Sequence, residues 1–383
     1  MLSDTGKNYI LIYEELNIII TMINSLKRLK FPKTKPSLYY STFNIGNITE
    51  TIVERQDYPI DKCKKILQDK TISVIGYGPQ GKCQSLNLRD NGFDVILGLR
   101  HGNSYEEAKN DGWLPSINLF NIEQAVDQGD IIKYLLSDIG QINQWDNICP
   151  YLTESKTLYF SHGFGIVFNG QTKINPPEDI DVIMVAPKGA GMTVRDKFLE
   201  GKGINVSYAI HQDYTGKAKD TCLSLAFGIG CGNAFETTFK KEVYSDLVGE
   251  RCVLMGMIQG AFCAQYDVLR EKGHSPAEAY NETVEEALVS LYPLINDQGM
   301  DWLYRNCSTT AQRGALDWAP VFEKALKPII EDCYTKVKNG HEVKKLIEIN
   351  KDIEYNDKLS KELDDINKHE LWVVAKKMRN LRC

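Results

Sequence analysis

From Thr71 onward, short apolar runs alternate with amphipathic segments. The runs TISVIG, DVILGL, IIKYLL, TLYF, DVIMVAP and INVSYAI are short and apolar throughout, a pattern that predicts buried parallel strands. Segments such as QGKCQSLNLRDNG and YEEAKNDGW, lying between several of them, have the composition and spacing of helices. Strand and helix in alternation predict a doubly wound α/β sheet. After FETTFKK the strand pattern stops. The remainder of the chain has a helical pattern: LVGERCVLMGMIQGAFCAQYDVLREKG, SPAEAYNETVEEALVSLYPLI and the stretch from Val321 through Val337. Gly273 suits the end of the first of these helices, while Ser275, Pro276 and Glu278 supply an N-cap, a first-turn proline and N-terminal negative charge for the next. The expected organisation is a leader over residues 1–46, a Rossmann-type nucleotide-binding domain over 47–239, and an all-α domain over 240–383, with the boundary near Phe239. No internal repeat is visible.

The first strand runs into Gly76-Tyr77-Gly78-Pro79-Gln80-Gly81, a dinucleotide-binding fingerprint placed between a strand and a helix. Gly76 permits the tight turn, Gly78 lets backbone approach a pyrophosphate, and Gly81 lets the helix pack on the strand. Pro79 removes one N–H donor but suits a first helical turn. The second strand ends in Arg100, followed by His101 and Ser104, where an NAD enzyme usually carries an acidic residue; this favours a 2′-phosphate and hence NADPH. Two carboxylate pairs, Asp246/Glu250 and Glu282/Glu286, are each spaced i,i+4 in helical sequence. Each pair can face one hard cation from one side of a helix. Most such pairs are solvated surface, yet two of them downstream of a nucleotide fold point to a metal-dependent reductase. Leu254, Met255, Met257 and Phe262 read as core packing.

A net charge of −6 argues against a surface built to bind nucleic acid, and the short apolar run Ile18 to Ile20 is too short to span a bilayer. The 383 residues with 43% hydrophobic content leave room for two or three domains with real cores. Ten scattered cysteines without metal or CxxC spacing read as reduced and mostly buried. From Leu16 to Thr49 there is no acidic residue, while Lys27, Arg28, Lys30, Lys33 and Lys35 cluster among Ser, Thr and Tyr. This is the composition of a targeting leader, with cleavage expected between Ser41 and Asn47 and Met22 as an alternative start.

The combination GYGPQG, LYFSHGFG, VAPKGAG, SDLVGER, AYNETVEE and CSTTAQRGALDW resembles the ketol-acid reductoisomerase family, over about Glu50 to Arg382. The helical domain occurs once, so the likeness is to the short, fungal mitochondrial-like class. The resemblance implies an NADPH- and Mg2+-dependent enzyme of branched-chain amino-acid synthesis. It would convert 2-acetolactate to 2,3-dihydroxy-isovalerate, and 2-aceto-2-hydroxybutyrate to the corresponding dihydroxy acid. Asp246, Glu250, Glu282 and Glu286 match the ligands of two Mg2+ ions, and Ser308 matches the residue that holds the substrate carboxylate. His162 and Lys188 match polar groups facing the reaction centre. Lys188, Glu286 or a water of the metal site could deliver the proton in the reduction step. The alternatives are a helix cap for Ser308 and a structural histidine for His162; the functional reading is the one preferred for both. Met192 and Pro79 depart from commoner residues of the family. The resemblance further implies a homodimer or higher homo-oligomer in which Asp246 and Glu250 of one subunit meet Glu282 and Glu286 of the other, and residence in the mitochondrial matrix, with plastid and cytoplasm as alternatives. A metal-independent hydroxy-acid or 6-phosphogluconate-type dehydrogenase and a non-catalytic scaffold are the competing readings.

Overall fold

The computed structural model describes residues 41–350, 352 and 354–381. The expected leader and its basic cluster therefore lie outside the described residues, except for the last few positions. Residues 41–383 form one compact unit. Its sheet has ten strands in the order β1-β2-β10-β9-β8-β7-β6-β3-β4-β5. The six apolar runs form β3 (Ile72–Ile75), β4 (Val95–Gly98), β6 (Ile131–Tyr134), β7 (Thr157–Phe160), β8 (Asp181–Pro187) and β9 (Val206–Gln212). The first five lie parallel in one block with the two-residue β5 (Leu119–Phe120) at its edge.

The expectation of an all-parallel set fails at β9, which pairs antiparallel with β8. An apolar run encodes burial but not direction. Beyond β9 the sheet continues with β10 (Asn233–Glu236) and a hairpin of β1 (Ser41–Ile45) and β2 (Ile48–Glu54), whose polar, half-exposed residues carry no core signal. Arg55 fastens this hairpin to the domain by donating to the carbonyls of Gly201, Lys202, Gly230 and Cys231.

Helices α1 (Ile60–Ile66), α2 (Pro79–Asp90), α3 (Asn103–Asn110), α4 (Ile122–Gln128), α5 (Asp138–Ile148), α6 (Gly191–Leu199) and α7 (Ala218–Gly228) accompany the strands. The core on one side of the sheet joins Ile75, Ile132, Tyr134, Trp145, Phe160, Met184 and Phe239. One buried residue is discordant. Lys133 on β6 is fully enclosed, its ammonium has no hydrogen-bond partner, and it sits 3.4 Å from the centroid of the Tyr159 ring. Burial holds its pKa well below the ordinary lysine value.

The helical part begins where Thr238 accepts a hydrogen bond from the Lys241 amide, opening α8 (Phe239–Arg251). The single helix expected from Leu247 to Gly273 is broken: residues 252–255 form a turn, and α9 (Gly256–Glu271) starts afresh. In consequence Leu254 and Met255 are exposed, and of the four residues expected in the core here Phe262 is buried while Met257 is partly so. Gly273, at φ 95°, follows the end of α9. Ser275 caps α10 (Pro276–Tyr280), with Pro276 in its first turn. The expected helix then continues with i→i+5 hydrogen bonding over Asn281–Glu285 and Ala287–Leu291 before α11 (Tyr292–Gln298). After α12 (Met300–Asn306), α13 spans Thr309–Lys338, longer than the stretch from Val321 through Val337 read from the pattern, and includes Pro320 and Pro328. Helices α14 (His341–Asn350), α15 (Tyr355–Lys368) and α16 (Glu370–Arg379) complete the chain.

Candidate active site

The strand order reverses between β3 and β6, the position where open α/β sheets bind ligands. A cavity of about 510 Å³ opens there, lined by the ends of β3, β4 and β6 and including Gly76, Tyr77, Arg100, His101 and Ser104. Gly76 has φ 103°, and a Cβ there would meet the Leu135 carbonyl oxygen at 2.7 Å. A Cβ on Gly81 would strike the Gly76 carbonyl, whereas one on Gly78 would meet nothing, so only Gly78 borders open space. Tyr77 turns inward: its hydroxyl donates to Asp111 at 2.8 Å and accepts from the Trp113 indole at 3.0 Å. Its side chain is a strut under the loop, leaving the backbone to face a ligand. Arg100 and Ser104 are exposed at the rim.

On the same edge of the sheet, His162 follows β7 and Lys188 follows β8. The loops that carry them are bolted to the glycine loop. Gln80 donates to the Gly189 carbonyl at 3.1 Å, Gln84 donates to the Ser161 hydroxyl at 2.8 Å, and a Cβ on Gly191 would collide with the Pro79 carbonyl. Helix α8 docks against this edge through Phe239, whose ring stands edge-on to Phe160 and leaves no room for a side chain at Gly163.

That docking brings four groups together. His162 Nδ1 lies 3.2 Å from Asp246 Oδ2 and 3.5 Å from Glu242 Oε2, and Lys188 Nζ lies 2.9 Å from Glu242 Oε1. Among the described residues, His162, Glu242 and Asp246 form the one group whose ligand atoms converge closely enough for a single metal ion. Burial alone would lower the His162 pKa, but pairing with Glu242 and the charges of Asp138, Glu242 and Asp246 outweigh it and raise it to about 9. Burial raises the Glu242 carboxyl, and pairing with His162 and Lys188 more than reverses this, leaving it lowered. Asp246 is raised, first by burial and then by Glu242; Glu250 is raised by burial and by Asp246.

Two observations agree with a cation at this centre. His162 Nδ1 and Glu242 Oε2 are buried without a hydrogen-bond partner of good geometry, and burial with a neighbouring carboxylate holds the carboxyls of Asp246 and Glu250 above their ordinary range despite the nearby His162 charge. A hard divalent ion prefers such oxygen donors.

The remaining expected residues stand elsewhere. Glu282 and Glu286 are both exposed, in and just after the first i→i+5 segment, and do not join the cluster within one chain. Ser308 is exposed and caps α13, accepting from the Ala311 amide at 3.3 Å. Glu242 and Asp138 were missed from the sequence. Glu242 had a usable signal, since 242, 246 and 250 continue one i,i+4 series along α8; Asp138 had none, because only the fold brings the first turn of α5 near His162.

A dinucleotide cavity at the reversal of a doubly wound sheet, with a carboxylate, imidazole and ammonium cluster on the same edge, defines a nucleotide-dependent oxidoreductase. Residues 66–234 match the acetohydroxy acid isomeroreductase NADPH-binding domain, and residues 239–383 match the ketol-acid reductoisomerase C-terminal domain. The chain therefore belongs to the ketol-acid reductoisomerase family and is an oxidoreductase of the isomeroreductase type. The mitochondrial ketol-acid reductoisomerase of Saccharomyces cerevisiae is 55% identical over 340 residues, covering 88% of this chain and 86% of the relative. A ketol-acid reductoisomerase (NAD(+)) of Desulfosudis oleivorans is 51% identical over 342 residues, covering 89% and 97%. Among solved structures, an NADH-preferring ketol-acid reductoisomerase from an uncultured archean superposes with a TM-score of 0.76 at 34% identity, covering 86% of this chain and 98% of that one.

Proposed function

We propose that the protein converts 2-acetolactate to 2,3-dihydroxy-isovalerate, and 2-aceto-2-hydroxybutyrate to its dihydroxy acid, using NADPH and two Mg2+ ions. The observation that carries this reading is the junction of the nucleotide cavity with the cluster of His162, Lys188, Glu242 and Asp246 on one sheet edge. Backbone of Gly76, Tyr77, Gly78, Gln80 and Gly81 would hold the pyrophosphate. Arg100 and Ser104 would hold a 2′-phosphate.

Asp246 and Glu250 would hold the ions from one side, with Glu282 and Glu286 of a second copy closing the site from the other. When bound, the ions would supply electrophilic polarisation of adjacent substrate oxygens, and the coenzyme would supply hydride. Glu242, accepting from Lys188 and paired with His162, fixes both cationic side chains toward the substrate. His162, held protonated by Glu242 and Asp246, can donate a hydrogen bond to a substrate oxygen, and Lys188 or Glu286 can return a proton to the new alkoxide. Ser308, at a helix N-terminus, can present its hydroxyl to a carboxylate.

The yeast relative is named as mitochondrial, and the basic, acid-free stretch from Leu16 to Thr49 agrees with a leader cleaved between Ser41 and Asn47. We place the mature protein in the mitochondrial matrix, with a nucleotide domain over 47–239 and a helical domain over 240–383. The test is NADPH oxidation with 2-acetolactate, with and without Mg2+, on wild type and Asp246→Asn. Mg2+-dependent turnover that the substitution removes supports the reading. Turnover surviving EDTA favours the metal-independent dehydrogenase, and a folded protein that binds NADPH without turnover favours the scaffold.

A further inference from the structure

Gln84 lies in the second turn of α2, and neither it nor Tyr159 on β7 has any exposed surface. A buried amide is costly unless its polar atoms are paired. Here they are. Gln84 Nε2 donates to Gln80 Oε1 at 2.9 Å and to the Ser161 hydroxyl at 2.8 Å, and Gln84 Oε1 accepts from the Tyr159 hydroxyl at 2.9 Å. The Tyr159 hydroxyl also lies 3.2 Å from the Val185 carbonyl on β8, and Lys133 Nζ stands over its ring. Gln80 in turn donates to the Gly189 carbonyl at 3.1 Å. One buried amide therefore joins the glycine loop to the ends of β7 and β8. Ser161 immediately precedes His162, Val185 stands three residues before Lys188, and Gly189 follows it. Moving any of these segments by the length of a hydrogen bond would strand a buried polar atom, so a fully paired node of this kind favours a single arrangement.

We propose that Gln84 is a positioning residue: through Ser161 and Tyr159 it holds the loops of His162 and Lys188 at a fixed separation from the glycine loop. Gln84 itself touches no reacting atom. The glycine loop would carry the dinucleotide, while His162 and Lys188 face the second reactant, and rate depends steeply on the separation of groups brought together in this way. The kinetic consequence rests on the function proposed above; the bonding that fixes the loops does not.

The test uses the full-length protein as wild type, Gln84→Met, Ser161→Ala and the double variant. Met keeps the length of the side chain without its polar atoms, and the Tyr159 hydroxyl retains the Val185 carbonyl. Amide hydrogen exchange needs neither substrate nor coenzyme. In Gln84→Met the amides of Ile166 and Val167, which bond the Gly163 carbonyl, and of Lys188, which bonds that of Asn205, should exchange about five- to tenfold faster, while those of α15 match wild type. With 2-acetolactate, NADPH and Mg2+, kcat should fall about 10–100-fold in Gln84→Met, with the NADPH Kd from fluorescence titration near the wild-type value. Ser161→Ala should lose less, and the double variant no more than Gln84→Met alone, because the two side chains act through one bond. Unchanged exchange at those amides, a lower melting temperature with kcat at the wild-type level, or losses in kcat that multiply in the double variant would each overturn the proposal. A wild type without turnover sinks the proposed reaction instead, and the exchange rates still decide whether Gln84 holds the loops. Ser161→Ala, at a half-buried position, carries the exchange test if Gln84→Met fails to fold.

Discussion

At the scale of the residue, charge is concentrated where burial makes it expensive. The raised His162 pKa carries a stability consequence in the ion-free protein. Its folded value, about 9, lies above its unfolded value near 6.5, so the stabilisation is complete below the unfolded value and is lost as pH rises through the folded one. Glu242 is lowered, so its contribution is present above the unfolded carboxylate pKa and is lost in acid as pH falls through the folded value. Denaturation midpoints between pH 6 and 10 should fall in wild type and stay flatter in His162→Gln. Glu242→Gln removes the acceptor that orients both His162 and Lys188, and steady-state kinetics should show a loss of about 10–100-fold in kcat, the usual cost of losing a group that orients a metal or catalytic residue. Lys133 makes the opposite case. Its folded pKa lies below the unfolded one, so it destabilises increasingly as pH falls below the unfolded lysine range. Lys133→Met should raise stability by about 2 kcal/mol at pH 7, with the gain shrinking toward pH 10.5, as measured by urea titration. The placement of Asp246 and Glu250 on one face of α8 was legible because i,i+4 spacing follows from helix geometry. Lys133 was not, since a single lysine in an apolar run looks like a strand end exposed to solvent.

At the scale of the element, close backbone approach decides what can pack. Helix α2 fits its neighbours because Gly81 and Gly191 have no side chain where carbonyls of Gly76 and Pro79 pass. Gly191→Ala should cost about 1–3 kcal/mol, read as a lower melting temperature, as overpacking a tight contact does. The strands of the nucleotide domain could be read because helices cover both their faces, making nearly every position apolar. The antiparallel turn at β9, the polar β1–β2 hairpin and the break after Arg251 could not. Each depends on which surface a segment meets, and the local pattern does not contain it. The i→i+5 stretch through Glu282 and Glu286 is of the same kind: its helical character was visible and its hydrogen-bond register was not.

At the scale of the whole molecule, the helical part leaves large apolar side chains exposed on one chain. Trp318, Phe322 and Ile329 on α13 are 62%, 60% and 64% exposed, and Leu254 and Met255 add to them at the α8–α9 turn. Apolar exposure of this extent marks an interaction surface. With Glu282 and Glu286 outside the one-chain cluster, a second copy is the partner that would both cover this surface and supply the missing carboxylates. Sedimentation should give a dimer or larger assembly. Trp318→Lys should shift it toward monomer and abolish Mg2+-dependent turnover while NADPH binding persists; an active monomer would refute the shared site.

The ties from Gln80 to Gly189 and from Gln84 to Ser161 also limit how this enzyme can be re-engineered. A glycine loop grafted from a relative that uses the other coenzyme carries its own residues at 80 and 84. Unless the segments at 161–163 and 188–191 travel with it, the graft breaks two hydrogen bonds made beside His162 and Lys188. If Arg100 and Ser104 hold the 2′-phosphate as proposed, coenzyme preference is better altered at that rim than by exchanging the loop.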